Sequence, residues 1–219
     1  MGILHRVLPL WMGTTFRRKV CECIGVRRFS FPSAVGIQQC FKQHLPNQGF
    51  YVEAGAVDGF FENNSYGLDR FQGWSGILIE PIERMFRRIA VNRPKAIAVN
   101  CALVARDFVG DTIEMVENHA MSRITNEIPS TMRVRVSART LESILDQFAP
   151  KKIDLLSLDV EGFEPQVLDG LNLNRWQPDH ILCECLSQSA FKEVEARIVP
   201  YYELVSQPTY RDFFFRKRN

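Results

Sequence analysis

The chain alternates short apolar strands with amphipathic helices several times over, and few folds accommodate that rhythm. Phe50 to Ala54 is an apolar run, Glu62 to Phe71 has helical character, and "GILIE" (Gly76 to Glu80) is a short second strand apolar on both faces. Ile82, Met85, Phe86 and Ile89 then recur at i, i+3, i+4 and i+7, the spacing of one buried helix face, and Pro94 stops the helix. "AIAVNCAL" follows as a third strand. Further on, Leu141, Ile144, Leu145 and Phe148 predict a helix, "IDLLSLDV" a buried strand, Val167, Leu168 and Leu171 a helix, "HILCEC" a strand, and Phe191, Val194 and Ile198 another helix. Strands without a polar face, separated by helices, predict an α/β fold with a parallel sheet wound by right-handed crossovers. "YYELVSQ" and "DFFFRK", joined by a Pro-containing turn, predict an antiparallel hairpin after the last helix. "DTIEMVE" and "RVRVS" alternate like exposed strands around the polar stretch "NHAMSRITNEIPST", which predicts an inserted β-hairpin or flap around 110–137.

The first strand runs into "YVEAGAVDGFFENN", an acid at Glu53 followed by a glycine-rich turn and a helix start. Such a turn bends sharply and lets a ligand approach the backbone, the construction of a nucleotide-type cofactor site. A dinucleotide needs glycine at the first, third and sixth turn positions, where this chain has Gly55, Val57 and Phe60. Val57 leaves little room for a pyrophosphate. S-adenosylmethionine has no phosphate and carries a positive sulfonium and amino group, so an acid-bearing turn suits it better. Glu80, ending the second strand, stands where this architecture puts a carboxylate against ribose hydroxyls, which serves either cofactor.

The rest of the composition narrows the partners. A length of 219 residues with 46% apolar content supports one sizeable domain. Residues 1–32 are read as an N-terminal extension, partly disordered or packed on the domain, and 33–219 as the domain itself, with Ser33 able to cap its first helix. Lys and Arg number 27 against 25 acids, and the basic pairs are scattered, which excludes a nucleic-acid stripe. The stretch "ILHRVLPLW" is broken by His5, Arg6 and Pro9 and does not reach a spanning length. Packing or disorder is the first reading of that segment, and peripheral contact with an anionic membrane surface through its following basic residues is the second. The six cysteines include two C-x-C pairs, Cys21 with Cys23 and Cys183 with Cys185, a spacing ill suited to zinc. Reduced, structural thiols in a cytoplasmic protein are the expectation.

Taken together, "FYVEAGAVDG", "GWSGILIEP", "NRP", "NCAL" and "IDLLSLDVEGFEPQVLDGL" stand in the order and at the separations of the FkbM family of S-adenosylmethionine-dependent methyltransferases, which the chain resembles over Gly49 to Glu184. The resemblance implies a class I methyltransferase (Rossmann-like) fold: a mostly parallel seven-stranded sheet whose last strand is antiparallel. It also implies methylation of a hydroxyl oxygen on a sugar or small metabolite. By the same resemblance Glu53, Gly55, Ala56 and Gly59 would surround the methionine part of the cofactor, and Glu80 with Pro81 would hold the ribose. Asn100, Cys101 and Ala102 would line the adenine, while Asp58 and Asn64 would face cofactor or acceptor. The family's frequent Ser-Asn-Thr is Asn63-Asn64-Ser65 here, which keeps the Asn and weakens any role for the flanking hydroxyl.

An alcohol acceptor must lose its proton as it attacks, to a positioned base or through a metal that acidifies it. Asp159 ends the "IDLLSLDV" strand, at the sheet edge where open α/β folds bind ligands, and is the leading catalytic and cofactor-facing carboxylate. Glu161 follows, with a first-turn acid favoured by the helix dipole as its alternative. Glu164 is assigned to that dipole, and Glu184 is divided between acceptor pocket and structural bonding. A divalent cation held by Asp159, Glu161 and Glu184 is a less favoured option. His119 in the flap is the candidate imidazole base, against solvated surface as its alternative. Met121, Ser122 and Arg123 could close over an acceptor. A non-catalytic S-adenosylmethionine-binding or scaffold protein of the same fold, and after it a nicotinamide-dependent oxidoreductase, are the rival readings.

Overall fold

The computed structural model describes residues 14–25, 30–32, 34–116 and 133–219. In chain order the elements are α1 (Thr14–Cys23), α2 (Val35–His44), β1 (Phe50–Ala54), α3 (Tyr66–Gln72), β2 (Ser75–Ile79), α4 (Glu83–Asn92), β3 (Ile97–Val99) and β4 (Ala102–Leu103). After them come β5 (Thr112–Val116), β6 (Arg133–Arg139), α5 (Leu141–Phe148), β7 (Leu155–Leu158), α6 (Glu164–Asp169), β8 (His180–Glu184), α7 (Gln188–Ile198), β9 (Tyr202–Ser206) and β10 (Asp212–Lys217).

Seven strands form the main sheet in the order β3-β2-β1-β7-β8-β10-β9. Every adjacent pair from β3 to β8 is parallel, and β10 is antiparallel to both its neighbours. This is the class I methyltransferase arrangement. The sequence order reverses between β1 and β7, and that switch point opens a crevice beyond the carboxyl ends of the parallel strands.

Period-two alternation divides the core between the two faces of the sheet. Val52, Ala54, Ile77, Ile79, Leu156, Leu158 and Ile181 pack with Leu141, Ile144 and Leu145 of α5, Val167 and Leu168 of α6, and Phe191 and Val194 of α7. Tyr51, Leu78, Leu155, Leu182 and Phe214 turn the other way onto Ile37, Cys40 and Phe41 of α2, Leu68 of α3 and Ile89 of α4. Local chemistry sets the helix ends. The Thr140 hydroxyl accepts from Ser143 N to start α5, that of Ser187 accepts from Ala190 N to start α7, and Gly73, at φ +73, closes α3 in the left-handed region.

Two elements differ from the sequence reading. The helix expected from Glu62 starts only at Tyr66, because Glu62 to Ser65 form the second half of the turn. The strand read through "AIAVNCAL" is broken in two. Asn100 Nδ2 donates to the carbonyls of Glu80 and Pro81, at 2.8 and 3.0 Å, and turns the chain out of the sheet. Beyond it β4 pairs in parallel with β6, and β5 pairs antiparallel with β6, so a small second sheet, β4-β6-β5, stands beside the first. β5 and β6 are the arms of the expected insertion. Its centre, with His119, Met121, Ser122 and Arg123, lies outside the described residues, as does Ser33.

Candidate functional site

A cleft of about 260 Å³ opens at the carboxyl edge of the parallel strands. One wall is apolar, made by Ile79, Met85, Cys101, Ala102, Leu103 and Met115. The opposite wall is acidic: Asp159 and Glu161 after β7, Glu184 at the end of β8, with Phe163 and Arg211 beside them. Gly55, Val57, Glu62, Glu80 and Pro81 line the cleft between the two.

The turn after β1 is shaped by contacts that leave no freedom at Gly55. Its φ is +83, and a Cβ placed there would lie 1.8 Å from the Asp159 carbonyl oxygen. Gly55 N and Ala56 N both donate to the Ile79 carbonyl, at 3.1 and 3.2 Å, which ties the turn to β2. Val57 and Glu62 have φ +50 and Glu161 has φ +56; all of these non-glycine residues in the left-handed region line the cleft. Such conformations cost of order 1–3 kcal/mol each and persist where surrounding structure fixes them, which is common at ligand sites.

Glu80 is buried, and its oxygens accept from Val57 N and Ile82 N, each at 2.9 Å. Burial outweighs these bonds, with some repulsion from Asp58, and raises its carboxyl to about 7. A carboxylate oxygen that takes one N–H retains a second lone pair, so each Glu80 oxygen can still receive a hydroxyl.

Several residues of the expected set support the cleft from behind. Glu53 lies on the α3 face of the sheet, accepts from Asn64 N at 2.7 Å and Ser65 N at 3.1 Å, and receives the Ser65 hydroxyl. Burial pushes its carboxyl up against the pull of those bonds and of the Arg93 charge. Asp58 Oδ1 accepts from Phe60 N and Phe61 N at 3.0 and 2.7 Å, capping the turn internally. Ala56 is fully buried, and Gly59 backs onto Arg93. Asn64 Nδ2 donates to Ser157 Oγ at 3.1 Å, and Asn100 braces the Glu80-Pro81 corner. Gly55, Glu80, Pro81, Cys101, Ala102, Asp159 and Glu161 are brought together on the cleft wall; Glu53, Ala56, Asp58, Gly59, Asn64 and Asn100 are not.

Burial raises the Asp159 carboxyl well above the carboxylate range, and the charge and hydrogen bonding of Glu184 raise it further, followed by the charges of Glu161 and Glu164. Glu164, assigned to the helix dipole, has a more local task. Its Oε1 accepts from Val160 N at 2.9 Å and Gly162 N at 3.2 Å, and so folds the loop that presents Asp159 and Glu161. Cys101 sits on the apolar wall with its thiol pushed up to about 12 by burial, a small hydrophobe without nucleophilic character. All six cysteines are unpaired. Among the described residues no group of three or more His, Cys, Asp or Glu is arranged to hold a metal ion. Among them, too, no helix is long and apolar enough to cross a membrane.

Two arginines were given no role in the sequence reading. Arg93 is buried and its guanidinium reaches Asp69 Oδ2 (2.9 Å), Asn63 Oδ1 (2.8 Å), Tyr51 Oη (2.7 Å), Ser65 Oγ (3.1 Å) and the Gly59 carbonyl (3.1 Å). It fastens the turn to α3 and β1 from behind. In the sequence it stands in the "NRP" piece of the family resemblance, to which no role was attached. Arg211 enters the cleft because β10 runs antiparallel, so the start of that strand lies at the same edge as the ends of the others.

The model of the family described as "Methyltransferase FkbM domain" matches residues 53–211. No curated protein matches the chain. Among solved structures, a chain of the fibrillarin/Nop5p complex is similar over 85% of this chain and 83% of its own length, at 12% identity and a TM-score of 0.48. A TehB-like SAM-dependent methyltransferase from Corynebacterium glutamicum is similar over 92% of this chain and 95% of its own, also at 12% identity and a TM-score of 0.48. The C-terminal domain of precorrin-6Y C5,15-methyltransferase from Rhodobacter capsulatus is similar over 87% and 94%, at 11% identity and a TM-score of 0.43.

Proposed function

The chain belongs to the FkbM methyltransferase family, and on that premise we propose that it transfers the methyl group of S-adenosylmethionine to a hydroxyl oxygen of a sugar or another small metabolite. The observation that carries the reading is one cleft in which a buried carboxylate stands between an apolar wall and a wall bearing a carboxyl of raised proton affinity. Its donor set fits S-adenosylmethionine. In this reading Glu80 receives the ribose hydroxyls, and Cys101, Ala102, Leu103 and Met115 cover the adenine. Gly55 and Val57 pass beside the methionine part. Asp159, Glu161 and Glu62 supply negative charge toward the sulfonium and amino groups.

When bound, S-adenosylmethionine supplies an electrophilic methyl group whose C–S electron pair leaves on sulfur as the acceptor oxygen forms the new C–O bond. The chain contributes orientation, exclusion of water and a proton acceptor. Asp159 is the acceptor of the hydroxyl proton, since a carboxyl of raised proton affinity takes a proton near neutral pH more readily than an ordinary one. Glu161 and Phe163 bound the acceptor side.

Calorimetry with S-adenosylmethionine, followed by a methyl-transfer assay across hydroxylated substrates with and without chelator, tests the reading. Binding of the donor, transfer to an oxygen, and turnover indifferent to chelator are expected. Absence of donor binding would favour a scaffold that merely keeps the fold, and binding of reduced nicotinamide instead would overturn the choice of cofactor. Full turnover in Asp159→Ala would remove that carboxylate from the mechanism.

A further inference from the structure

Resting on the reading just given, one carboxyl group of the cleft remains unused by the proposed chemistry. Leu158 stands beside Cys183 in the parallel register of β7 and β8, so the next residues, Asp159 and Glu184, leave the sheet side by side, and both line the cleft. β10 completes the corner. Its Asp212 pairs with Glu184, the Arg211 carbonyl accepts from Cys185 N at 2.8 Å, and Arg211 Nη1 lies 3.9 Å from Glu184 Oε1.

We propose that Glu184, with Arg211 beside it, is a positioning residue for Asp159: it orients that carboxyl at the cleft and governs how readily it takes the acceptor's proton. A carboxylate on the neighbouring strand end disfavours ionisation of Asp159 by repulsion, and a guanidinium at the same corner offsets part of that effect. In the step itself the acceptor O–H bond breaks, its electron pair goes into the new bond to carbon, and the proton passes to Asp159. Asp159 goes from one negative charge to neutral, and returns the proton to water before the next turnover.

The surroundings of Asp159 fit this division of labour. Glu184 and Cys183 face it from β8, Glu161 from its own loop, Glu164 from α6, and Arg211 reaches the corner from β10, with Glu62 elsewhere on the cleft wall. Glu164 is committed to backbone N–H groups, and Glu161 stands on a left-handed turn. Glu184 is the neighbour whose strand end adjoins that of Asp159, and after burial it is the largest influence on the Asp159 carboxyl.

The test needs no acceptor: a carbon-13 titration of the full chain labelled at aspartate carboxyl groups, followed by nuclear magnetic resonance. One aspartate should titrate far above the others. Glu184→Gln should lower that midpoint by about 1–2 pH units, and Arg211→Gln should raise it by about half a unit, since removing a cation makes each ionisation harder. Opposite signs are what loosened packing alone would not give. The inference fails if the folded Glu184→Gln protein titrates like wild type, or if both variants move the midpoint the same way. Should Glu184→Gln not fold by circular dichroism, the Arg211→Gln midpoint decides alone, and no rise overturns the proposal. Calorimetry with S-adenosylmethionine on the same samples keeps the two readings apart, because loss of donor binding in wild type removes the methyltransferase reading while the titration still judges the pair.

Discussion

At Gly55 the backbone has φ +83 with the Asp159 carbonyl against it, so the position tolerates no side chain. Gly55→Ala must push the β1 turn away from the β7 loop, or leave both strained. The expected cost is on the order of 3 kcal/mol, read by urea denaturation, together with a loss of S-adenosylmethionine affinity of at least about tenfold by calorimetry. Wild-type affinity in a stable Gly55→Ala protein would show that the two loops do not shape the donor site. Glu80 makes a second residue-level prediction. Its carboxyl titrates at about 7 in the ligand-free protein, and hydroxyl donors bind its ionised form best. Donor affinity should therefore rise with pH, being about tenfold weaker at pH 6 than at its upper plateau, and Glu80→Gln should flatten that dependence. At this scale the sequence was informative where chemistry is local: the glycine spacing of the turn located Gly55, and the ends of two apolar strands located Glu80 and Asp159. It gave no role to Arg93 or Arg211, because which carboxylates a guanidinium meets depends on strands distant in sequence.

Between elements, the strand that breaks at Asn100 explains why periodicity misled. "AIAVNCAL" is apolar throughout, and only the capture of Asn100 by the Glu80 and Pro81 carbonyls ends one strand and begins another in a second sheet. The other strands and helices were legible because burial on a fixed face imposes their period. The docking of α1 was not. Glu22 on α1 accepts from Ser30 Oγ at 2.7 Å, from Tyr66 Oη at 3.0 Å and from Arg70 Nε at 2.9 Å, which ties an N-terminal helix to α3. Glu22→Ala should leave the central sheet as protected as before and speed amide hydrogen exchange in Thr14–Cys23 by about fivefold or more, equivalent to roughly 1 kcal/mol of local opening. Unchanged exchange in that helix would mean that its apolar contacts, through the buried Cys21, hold it without the carboxylate.

For the molecule as a whole, the concentration of buried acids around one cleft reverses the usual response to acid. Burial raises Glu53, Glu80, Asp159 and Glu164 in the folded state. The unfolded chain releases the Glu80 proton near 4.5 and the folded chain near 7, so between those values the folded state holds more protons and stability falls as pH rises. Glu80 alone accounts for about 3 kcal/mol across that window, fully present below pH 4.5 and lost above 7. Ligand-free protein should consequently melt higher at pH 5.5 than at pH 8 by calorimetric scan, and S-adenosylmethionine should narrow the gap by favouring ionised Glu80. A higher melting temperature at pH 8 in the ligand-free state would refute this account of the cleft. The place of β10, slotted between β8 and β9 although it is last in the chain, has a consequence for how the sheet is assembled. β9 and β10 form a hairpin close in sequence, and it joins the sheet through β10 on β8, so the edge of β8 stays open until that hairpin docks. Docking of that hairpin both completes the sheet and delivers Arg211 to the cleft, and aggregation through the open β8 edge is the hazard this topology carries until it is seated.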